Sequence, residues 1–275
     1  MKNVAIQGEI GSFHYAAALS WYGKAVSIVA CNTFKKTFES LDTGIADAAV
    51  VAIENSLHGS INEVYDLLLE YRYPIVGEVA EHIHQCLIGQ PDVAIEEINI
   101  VHSHPVALSQ CSVFLEEKLP LAERNEWYDT AASVALVKNA GDRHQAAIAS
   151  SAAAKLHNMK ILAHDIQNVN QNYTRFLIIE KQPTQTVTTK SSLVVETHHK
   201  PGALYDILGI INNHKVNISK LQSRPSKKTV WRYMFYIDIE CNASKTQTIL
   251  TEIRSISANA TLLGSYKASI TTIDI

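Results

Sequence analysis

Short apolar runs rich in strand-forming residues alternate with segments of helical spacing through the first two-thirds of the chain. The run Ala48–Ile53 is almost wholly apolar, as expected of a strand buried on both faces of a sheet. Similar strand patterns recur at Val4–Gln7, Val26–Ala30, Ile75–Val79, Cys86–Ile88, Ile98–Val101, Ala146–Ala149 and Ile161–Ala163. Strands joined by helices predict an α/β fold built on mainly parallel sheets.

Helix starts fit between these strands. Ser12 and Thr33 are predicted N-caps, because a hydroxyl accepts from the free N–H groups of a first helical turn. Pro105 suits the first turn of a helix that continues past Val113 to Leu115. After Asp129-Thr130, a further helix rich in Ala, Val and Leu is predicted as far as Ala140.

The pattern changes at residues 181–189, a polar stretch with no hydrophobic period that predicts a linker. The elements predicted beyond it are a strand (192–197), a helix (203–213), two strands (216–221 and 231–239), a helix (247–256) and a strand (261–266). This βαββαβ order is the ferredoxin-like arrangement, an antiparallel sheet with both helices on one face. We therefore predict a first domain over residues 1–180 and a second over residues 190–275.

Composition narrows the class of protein. Of 275 residues, 47% are hydrophobic and 19% charged, which is typical of a globular protein. The net charge of −3 and the lack of a basic run argue against nucleic-acid binding. No apolar run reaches membrane-spanning length, and the N-terminus has a strand pattern instead of a signal-peptide core. Four scattered cysteines indicate thiols in a reducing compartment, so we expect a cytoplasmic protein without membrane partners.

Polar clusters follow several predicted strands and precede the next helix. They are Gly8–Ser12, Glu54–Ser60, Ser103 with Gln110, and Asp129-Thr130. In an open parallel sheet these positions share the carboxyl edge, where ligands bind, and the helix-start N–H groups favour an anion. The pattern predicts a hydroxyl-rich, anion-binding cleft; the alternative is that these residues only cap helices.

One late segment adds charged chemistry to that cleft. In Asn172–Ile179, Thr174 offers a hydroxyl and Arg175 a planar fork suited to a carboxylate. Glu54 is the one candidate acid at the cleft edge. The alternatives are a solvated arginine on a strand and a structural carboxylate that caps a turn.

Other site types are not favoured. Gly8-x-x-Gly11 is not a full dinucleotide fingerprint, and the chain has neither a phosphate-binding loop nor a serine in a nucleophile-elbow pattern. His82-x-His84 and His102-x-His104 lack a convincing third metal ligand nearby in sequence. We predict no cofactor and no metal.

The clusters, in this order, resemble the prephenate dehydratase family over nearly the whole chain, including its C-terminal ACT domain. The matching segments are Val51–Ser56 with Gly59–Ile61, His102–Pro105 with Gln110-Cys111, Asp129–Ala131, and Asn172-x-Thr174-Arg175-Phe176. In the second domain, Gly202–Tyr205 and Ser223–Pro225 resemble the two effector motifs of the family.

The resemblance implies conversion of prephenate to phenylpyruvate, with loss of water and carbon dioxide, in phenylalanine biosynthesis. It implies a bilobed, periplasmic-binding-protein-like catalytic domain, with a second lobe over roughly residues 76–165, assembled into homodimers or homotetramers. The substrate contacts implied by motif are Asn55, Ser56, Ser103, Gln110, Thr130, Thr174 and Arg175. Among the cleft residues, we assign the chemistry to Thr174, Glu54 and Asn55, and the substrate carboxylate to Arg175.

The ACT resemblance implies inhibition by L-phenylalanine. The effector-binding residues carried over from its motifs are Gly202, Ala203, Leu204, Ser223 and Arg224. The second motif commonly begins with Glu, whereas this chain has Gln222, which predicts weakened or retuned sensing. The first turn, Gly8–Ser12, also lacks the proline that members often carry.

Two rival functions remain open at this point. One is the same chemistry on arogenate, which carries an amino group in place of the keto group of prephenate. The other is a non-catalytic amino-acid sensor, in which the bilobed domain only binds a ligand.

Overall fold

The computed structural model describes residues 1–182, 187–226 and 232–269. The chain forms two compact units and passes between them more than once. The first unit contains Met1–Gly59 and Ala80–Phe176, and the second contains Ser60–Val79 and the chain from Leu177 onward. A segment that sequence patterns assign to the catalytic domain is thus grouped with the C-terminal domain.

The first part of the chain alternates strands and helices as its hydrophobic pattern predicts. In chain order the elements are β1 (Lys2–Gln7), α1 (Phe13–Tyr22), β2 (Val26–Cys31), α2 (Phe34–Asp42), β3 (Ala48–Asn55), β4 (Gly59–Ser60), α3 (Asn62–Tyr71), β5 (Ile75–His82), β6 (Cys86–Gly89), a 3-10 turn (Ile95–Glu97), β7 (Ile100–Ser103), α4 (Pro105–Gln110), α5 (Ser112–Lys118), β8 (Glu123–Glu126), α6 (Thr130–Ala140), β9 (Gln145–Ala149), α7 (Ser151–His157), β10 (Lys160–Ala163) and β11 (Tyr173–Glu180).

These strands form two sheets. The first has the order β2-β1-β3-β11-β5, with β4 paired to β3, and β1 is parallel to both β2 and β3. The side chains from Ala48 to Ile53 are at most 3% exposed, which confirms the predicted fully buried strand. The second sheet has the order β10-β6-β9-β7-β8, in which β7 is parallel to β8 and β9 while β6 runs antiparallel to β9 and β10.

The helix predicted from Pro105 onward is interrupted. Helix α4 ends at Gln110, and α5 begins at Ser112, after Cys111 leaves the helical conformation. Asn168 supplies the reason, because its side-chain oxygen accepts from the Val113 N–H and its amide nitrogen donates to the Ser109 carbonyl. A side chain inserted into the helical ladder in this way produces a break.

The C-terminal domain has the predicted βαββαβ order. Its elements are β12 (Lys190–Glu196), α8 (Ala203–Asn213), β13 (Ile218–Pro225), β14 (Tyr233–Ile239), α9 (Ala243–Ile256) and β15 (Asn259–Tyr266). Their sheet has the order β13-β14-β12-β15, and the strand pairs are antiparallel. Leu193, Ile237 and Ile207 belong to one buried cluster that joins the sheet to its helices. The predicted α/β fold with a ferredoxin-like second domain is confirmed.

Helix α9 begins four residues earlier than its hydrophobic pattern predicts. Asn242 caps it by accepting from the Lys245 N–H at 2.9 Å, which allows a polar first turn. Trp231, the predicted start of a strand, and residues 183–186 of the predicted linker lie outside the described residues. No helix in the described ranges is long and apolar enough to cross a membrane.

Candidate active site

A polar cluster lies where the C-terminal end of β3 meets the N-terminal end of β11, and Asn55 is its centre. The Asn55 amide nitrogen donates to the side-chain oxygen of Asn172 at 2.7 Å and to Thr174 Oγ1 at 3.0 Å. The Asn55 side-chain oxygen accepts from the N–H groups of Leu57 and His58, both at 3.0 Å. This one amide therefore shapes the turn after β3 and fixes the start of β11.

The bond to Asn55 decides what the Thr174 hydroxyl can do. Because Thr174 Oγ1 accepts a hydrogen from Asn55, its own hydrogen is free to be donated to another group. Thr174 is half-buried, so part of its side chain is accessible to a bound molecule. The geometry presents an oriented hydroxyl donor at the mouth of a buried strand.

Glu54 and Arg175 form a second pair on the same two strands. Glu54 Oε1 lies 3.0 Å from Arg175 Nε, and both side chains are largely shielded from solvent, at 24% and 15% exposed. Side chains alternate between the faces of a strand, so Arg175 and Thr174 face opposite sides of β11. The structure thus separates the predicted cluster into two pairs, Asn55 with Thr174 and Glu54 with Arg175.

Ser56 holds the turn to the incoming strand. Its hydroxyl accepts from the Tyr173 N–H at 2.9 Å and donates to the Gln171 carbonyl at 3.3 Å. The Tyr173 ring stacks on His82 with a centroid separation of 4.6 Å. Ser56 therefore lies with Asn55 and Thr174 in one cluster.

The first turn approaches the starts of helices α6 and α7. A Cβ atom on Gly8, which has a φ of +93°, would lie 2.5 Å from Asp129 Oδ2. Ser150 donates to the Gly11 carbonyl at 2.7 Å and also caps α7 by accepting from the Ala153 N–H. Gly11 also has a positive φ, +95°, and a Cβ there would lie 3.1 Å from Ala153 Cα, so both positions favour glycine.

Asp129 and Thr130 begin helix α6. Asp129 Oδ1 accepts from the Ala132 N–H at 2.9 Å, as a cap does. Burial raises the pKa of the Asp129 carboxyl above its usual value, and the nearby Glu9 acts in the same direction, while N–H groups of the helix start oppose the shift. Thr130, the first helical residue, is half-buried beside this carboxyl.

Ser103 and Gln110 lie beside the second sheet, at the end of β7 and in α4. Ser103 is fully buried, and its hydroxyl donates to the Ile148 carbonyl at 2.6 Å. Gln110 is 7% exposed at the end of α4. The donor capacity of Ser103 is therefore used within the fold, which leaves its oxygen as an acceptor.

Sequence reasoning assigned no role to several residues that hold the site together. His14 accepts from the Ala52 N–H through Nε2 at 3.2 Å and packs edge-on against Phe176. Burial lowers its pKa to about 3, so the imidazole stays neutral. Asn172 is part of the matched motif but was given no function. It is fully buried, and its side-chain oxygen accepts from the Asn55 amide, which makes it a structural residue. The sequence signal was a polar amide directly before an apolar strand.

The two histidine pairs noted in the sequence have other partners. The rings of His82 and His84 lie 3.9 Å apart, and His84 Nδ1 is 2.6 Å from Asp165 Oδ1. His102 Nε2 bonds to the Gln145 side chain at 3.0 Å. Among the residues that the structure describes, no group of three or more His, Cys, Asp or Glu side chains could hold a metal ion.

The C-terminal domain has a cavity at the start of α8. It has a volume of about 300 Å³, and its lining includes Gly202, Ala203, Leu204, Tyr233 and Phe235. Gly202 has a φ of 78°, which brings the backbone of this turn into a conformation that favours glycine. The other predicted effector residues lie on β13, where Ser223 is exposed and Arg224 is directed to Asp66.

Known proteins match this chain over most of its length. The family model for prephenate dehydratase matches residues 4–184, and the model for the ACT domain matches residues 191–258. A bifunctional chorismate mutase/prephenate dehydratase from Aquifex aeolicus is 34% identical over 97% of this chain and 74% of its own. Arogenate dehydratase 2 from Petunia hybrida is 36% identical over 96% of this chain and 71% of its own.

Solved structures show the same fold. Prephenate dehydratase from Arthrobacter aurescens in complex with L-Phe has a TM-score of 0.87 and 29% identity, over 96% of this chain and 90% of that one. GqqA, described as a novel type of quorum quenching acylase, also has a TM-score of 0.87, with 28% identity over 98% of this chain and 99% of that one. On the family matches and the relatives together, the chain belongs to the prephenate dehydratase family and carries a C-terminal ACT domain.

Proposed function

We propose that this protein converts prephenate to phenylpyruvate, water and carbon dioxide. The observation that carries the proposal is the bond from Asn55 to Thr174 Oγ1, which frees the Thr174 hydrogen for a substrate oxygen at the cleft. The family match over residues 4–184 and the relatives with prephenate dehydratase in their names support the same substrate. The product ring is aromatic, so the reaction is strongly downhill once the barrier is lowered.

The chemistry divides into two bond cleavages. The bond between the ring and its carboxylate breaks, and its electron pair enters the ring as carbon dioxide leaves. The carbon–oxygen bond on the opposite side of the ring breaks, and the departing hydroxide becomes water by taking up one proton from the solvent. Thr174 stabilises the negative charge that builds on this oxygen by donating a hydrogen bond, which is worth most in a preorganised, partly buried site.

Arg175 and Glu54 have a different part in the proposal. A guanidinium has five N–H donors. Arg175 can therefore bind a substrate carboxylate through its terminal nitrogens while its Nε lies beside Glu54, which orients the group. The ion pair favours an orienting role for Glu54 over the acid role predicted from the sequence. Ser56, Ser103, Gln110 and Thr130 complete the proposed set of substrate-binding residues.

The ACT domain supplies regulation in this proposal. L-phenylalanine binds at the 300 Å³ cavity at the start of α8, and this binding inhibits the enzyme. The ACT match and the similarity to a prephenate dehydratase solved with L-Phe support this ligand. We further propose a cytoplasmic homodimer or homotetramer.

The test of the proposal is phenylpyruvate formation from purified protein and prephenate, followed by absorbance. Parallel reactions with arogenate settle the substrate, because a relative named arogenate dehydratase is as similar as those named for prephenate. Absence of product from both substrates, together with melting stabilised by phenylalanine, would show a sensor instead of an enzyme.

Thr174→Val is the sharpest variant, because it keeps the shape of the side chain and removes the hydroxyl. We expect the turnover number to fall about 10²-fold or more, as for other lost transition-state donors. Thr174→Ser, which keeps the hydroxyl, is the matched control and should retain most of the turnover. A Thr174→Val enzyme within about threefold of the parent would remove Thr174 from the mechanism, since that is far below the loss expected of such a donor.

A further inference from the structure

Helix α3 joins the catalytic turn to the ACT domain. It begins shortly after the turn that contains Asn55 and Ser56, and in the structure it belongs to the same compact unit as the C-terminal chain. The Tyr236 hydroxyl of β14 donates to the Tyr65 carbonyl at 2.8 Å, and the two rings meet edge-to-face at 4.7 Å. A helix of the catalytic segment is thus packed on the ACT sheet.

Two residues of β13 make further contacts with this segment. Ser60 Oγ donates to Gln222 Oε1 at 2.8 Å, immediately before α3. Arg224 Nη2 donates to Asp66 Oδ2 at 3.0 Å on α3, and these side chains are only 23% and 16% exposed. Both contacts come from the strand that carries the second effector motif.

The same strand shows that these two residues do not face the effector cavity. Gln222 pairs across the sheet with Tyr236, the residue that packs on α3, whereas Ser223 pairs with Phe235. Phe235 lines the 300 Å³ cavity and packs with the helix side of the domain. Because side chains alternate along a strand, Gln222 and Arg224 face α3, on the side of the sheet opposite to Phe235.

We propose that Gln222 and Arg224 are positioning residues that hold the start of α3, and through it the Asn55–Ser60 turn, and that Arg224 is not an effector ligand. This inference rests on the proposed function. In this inference phenylalanine acts on catalysis through β13, and the Arg224–Asp66 and Gln222–Ser60 bonds carry its effect to α3 and the turn before it.

The test compares Asp66→Asn, Arg224→Gln and the double variant with the parent. We expect each single variant to have a lower turnover number than the parent. At saturating phenylalanine each variant should keep more than half of its own phenylalanine-free turnover, whereas the parent is inhibited about fivefold or more. The double variant should be no worse than either single one, because both remove the same bond. Ser60→Ala, which removes the second contact, should give the same partial inhibition.

Arg143→Gln is the matched control. It removes an exposed arginine–carboxylate pair of similar length, Arg143 with Glu97 at 2.7 Å, and should leave both turnover and inhibition as in the parent. An effector ligand would behave differently from a positioning residue. Arg224→Gln would then shift the phenylalanine concentration for half-inhibition while full inhibition was still reached, and Asp66→Asn would match the parent. That result would overturn the inference.

A readout that does not need turnover separates this inference from the proposed function. Phenylalanine should change hydrogen exchange of backbone amides over residues 56–71 in the parent, and this change should be absent in Asp66→Asn. If the parent forms no phenylpyruvate, the proposed function fails while this exchange result still decides the coupling. The inference is wrong if phenylalanine leaves the exchange of residues 56–71 unchanged in the parent.

Discussion

Single residues of this protein show how much of the site depends on buried polar groups. His14 is neutral and accepts the Ala52 N–H, so it acts as a structural acceptor between α1 and β3. Asn55 uses both ends of its amide in the fold, and in doing so it orients Thr174. The reactive hydroxyl is therefore set by residues that do not need to touch the substrate.

His14 predicts a pH dependence of stability. Its folded pKa is about 3, against an ordinary value of 6.5, so the unfolded chain binds a proton between these values that the folded chain does not. Stability due to this residue is complete above pH 6.5 and falls as the pH drops toward 3, by at most about 1.4 kcal/mol per pH unit. His14→Gln keeps an acceptor and removes the titration.

Urea unfolding at pH 7.5 and pH 5 measures this effect. From pH 7.5 to pH 5, the free energy of unfolding of the parent should fall by about 2 kcal/mol more than that of His14→Gln. The reason is that pH 5 lies about one and a half units below the ordinary histidine pKa. His199→Gln replaces an exposed histidine and should follow the parent. Equal losses for the parent and His14→Gln would show that this imidazole titrates normally in the folded protein.

At the scale of elements, hydrophobic periodicity predicted most strands and helices because each is locally consistent. The break between α4 and α5 escaped prediction, since the side chain that causes it, Asn168, is distant in sequence. The site was predictable in part. Polar clusters after strands located Asn55 and Thr174, and strand alternation could have placed Arg175 on the opposite face. The pairing of Arg175 with Glu54 needed the strand register.

The prediction at the scale of elements concerns helix α7, because the residue that caps it, Ser150, also holds the Gly8–Ser12 turn. Ser150 accepts from the Ala153 N–H and donates to the Gly11 carbonyl, and it is 9% exposed. Ser150→Ala removes both bonds, whereas Thr33→Ala removes only an exposed cap on α2. We expect Thr33→Ala to lower the free energy of unfolding by about 1 kcal/mol. Ser150→Ala should lower it by about 1–3 kcal/mol more, because it also removes a buried hydrogen bond.

Chemical denaturation and steady-state kinetics together check this prediction. Ser150→Ala should also raise the KM for prephenate, because the Gly8–Ser12 turn loses its anchor on the start of α7. Ser150→Thr keeps a hydroxyl in both bonds and should restore the KM. The turn is held by other contacts if Ser150→Ala and Thr33→Ala prove equally mild in both measurements.

At the scale of the whole molecule, the chain order and the compact units differ. Local patterns cannot reveal that Ser60–Val79 is grouped with the C-terminal chain, because the contacts responsible join residues far apart in sequence. The second unit contains a buried ion pair between these parts: Lys190 Nζ lies 3.1 and 3.0 Å from the two carboxylate oxygens of Glu78. The Ser269 N–H also donates to Glu78, at 3.1 Å.

This ion pair allows a test of how the second unit is held together. Lys190 and Glu78 side chains are 8% and 3% exposed, so Lys190→Met leaves a carboxylate buried without its ammonium group. We expect a loss of about 3–5 kcal/mol in the free energy of unfolding, measured by urea denaturation. Glu78→Leu combined with Lys190→Met should recover most of that loss, because an apolar pair needs no compensating charge.

The control is Lys36→Met, which removes the exposed pair with Glu39 and should shift the urea midpoint only slightly. A Lys190→Met protein as stable as the Lys36→Met control would mean that other contacts, such as the close approach of Gly264 to the Ile75 backbone, hold this segment without the ion pair.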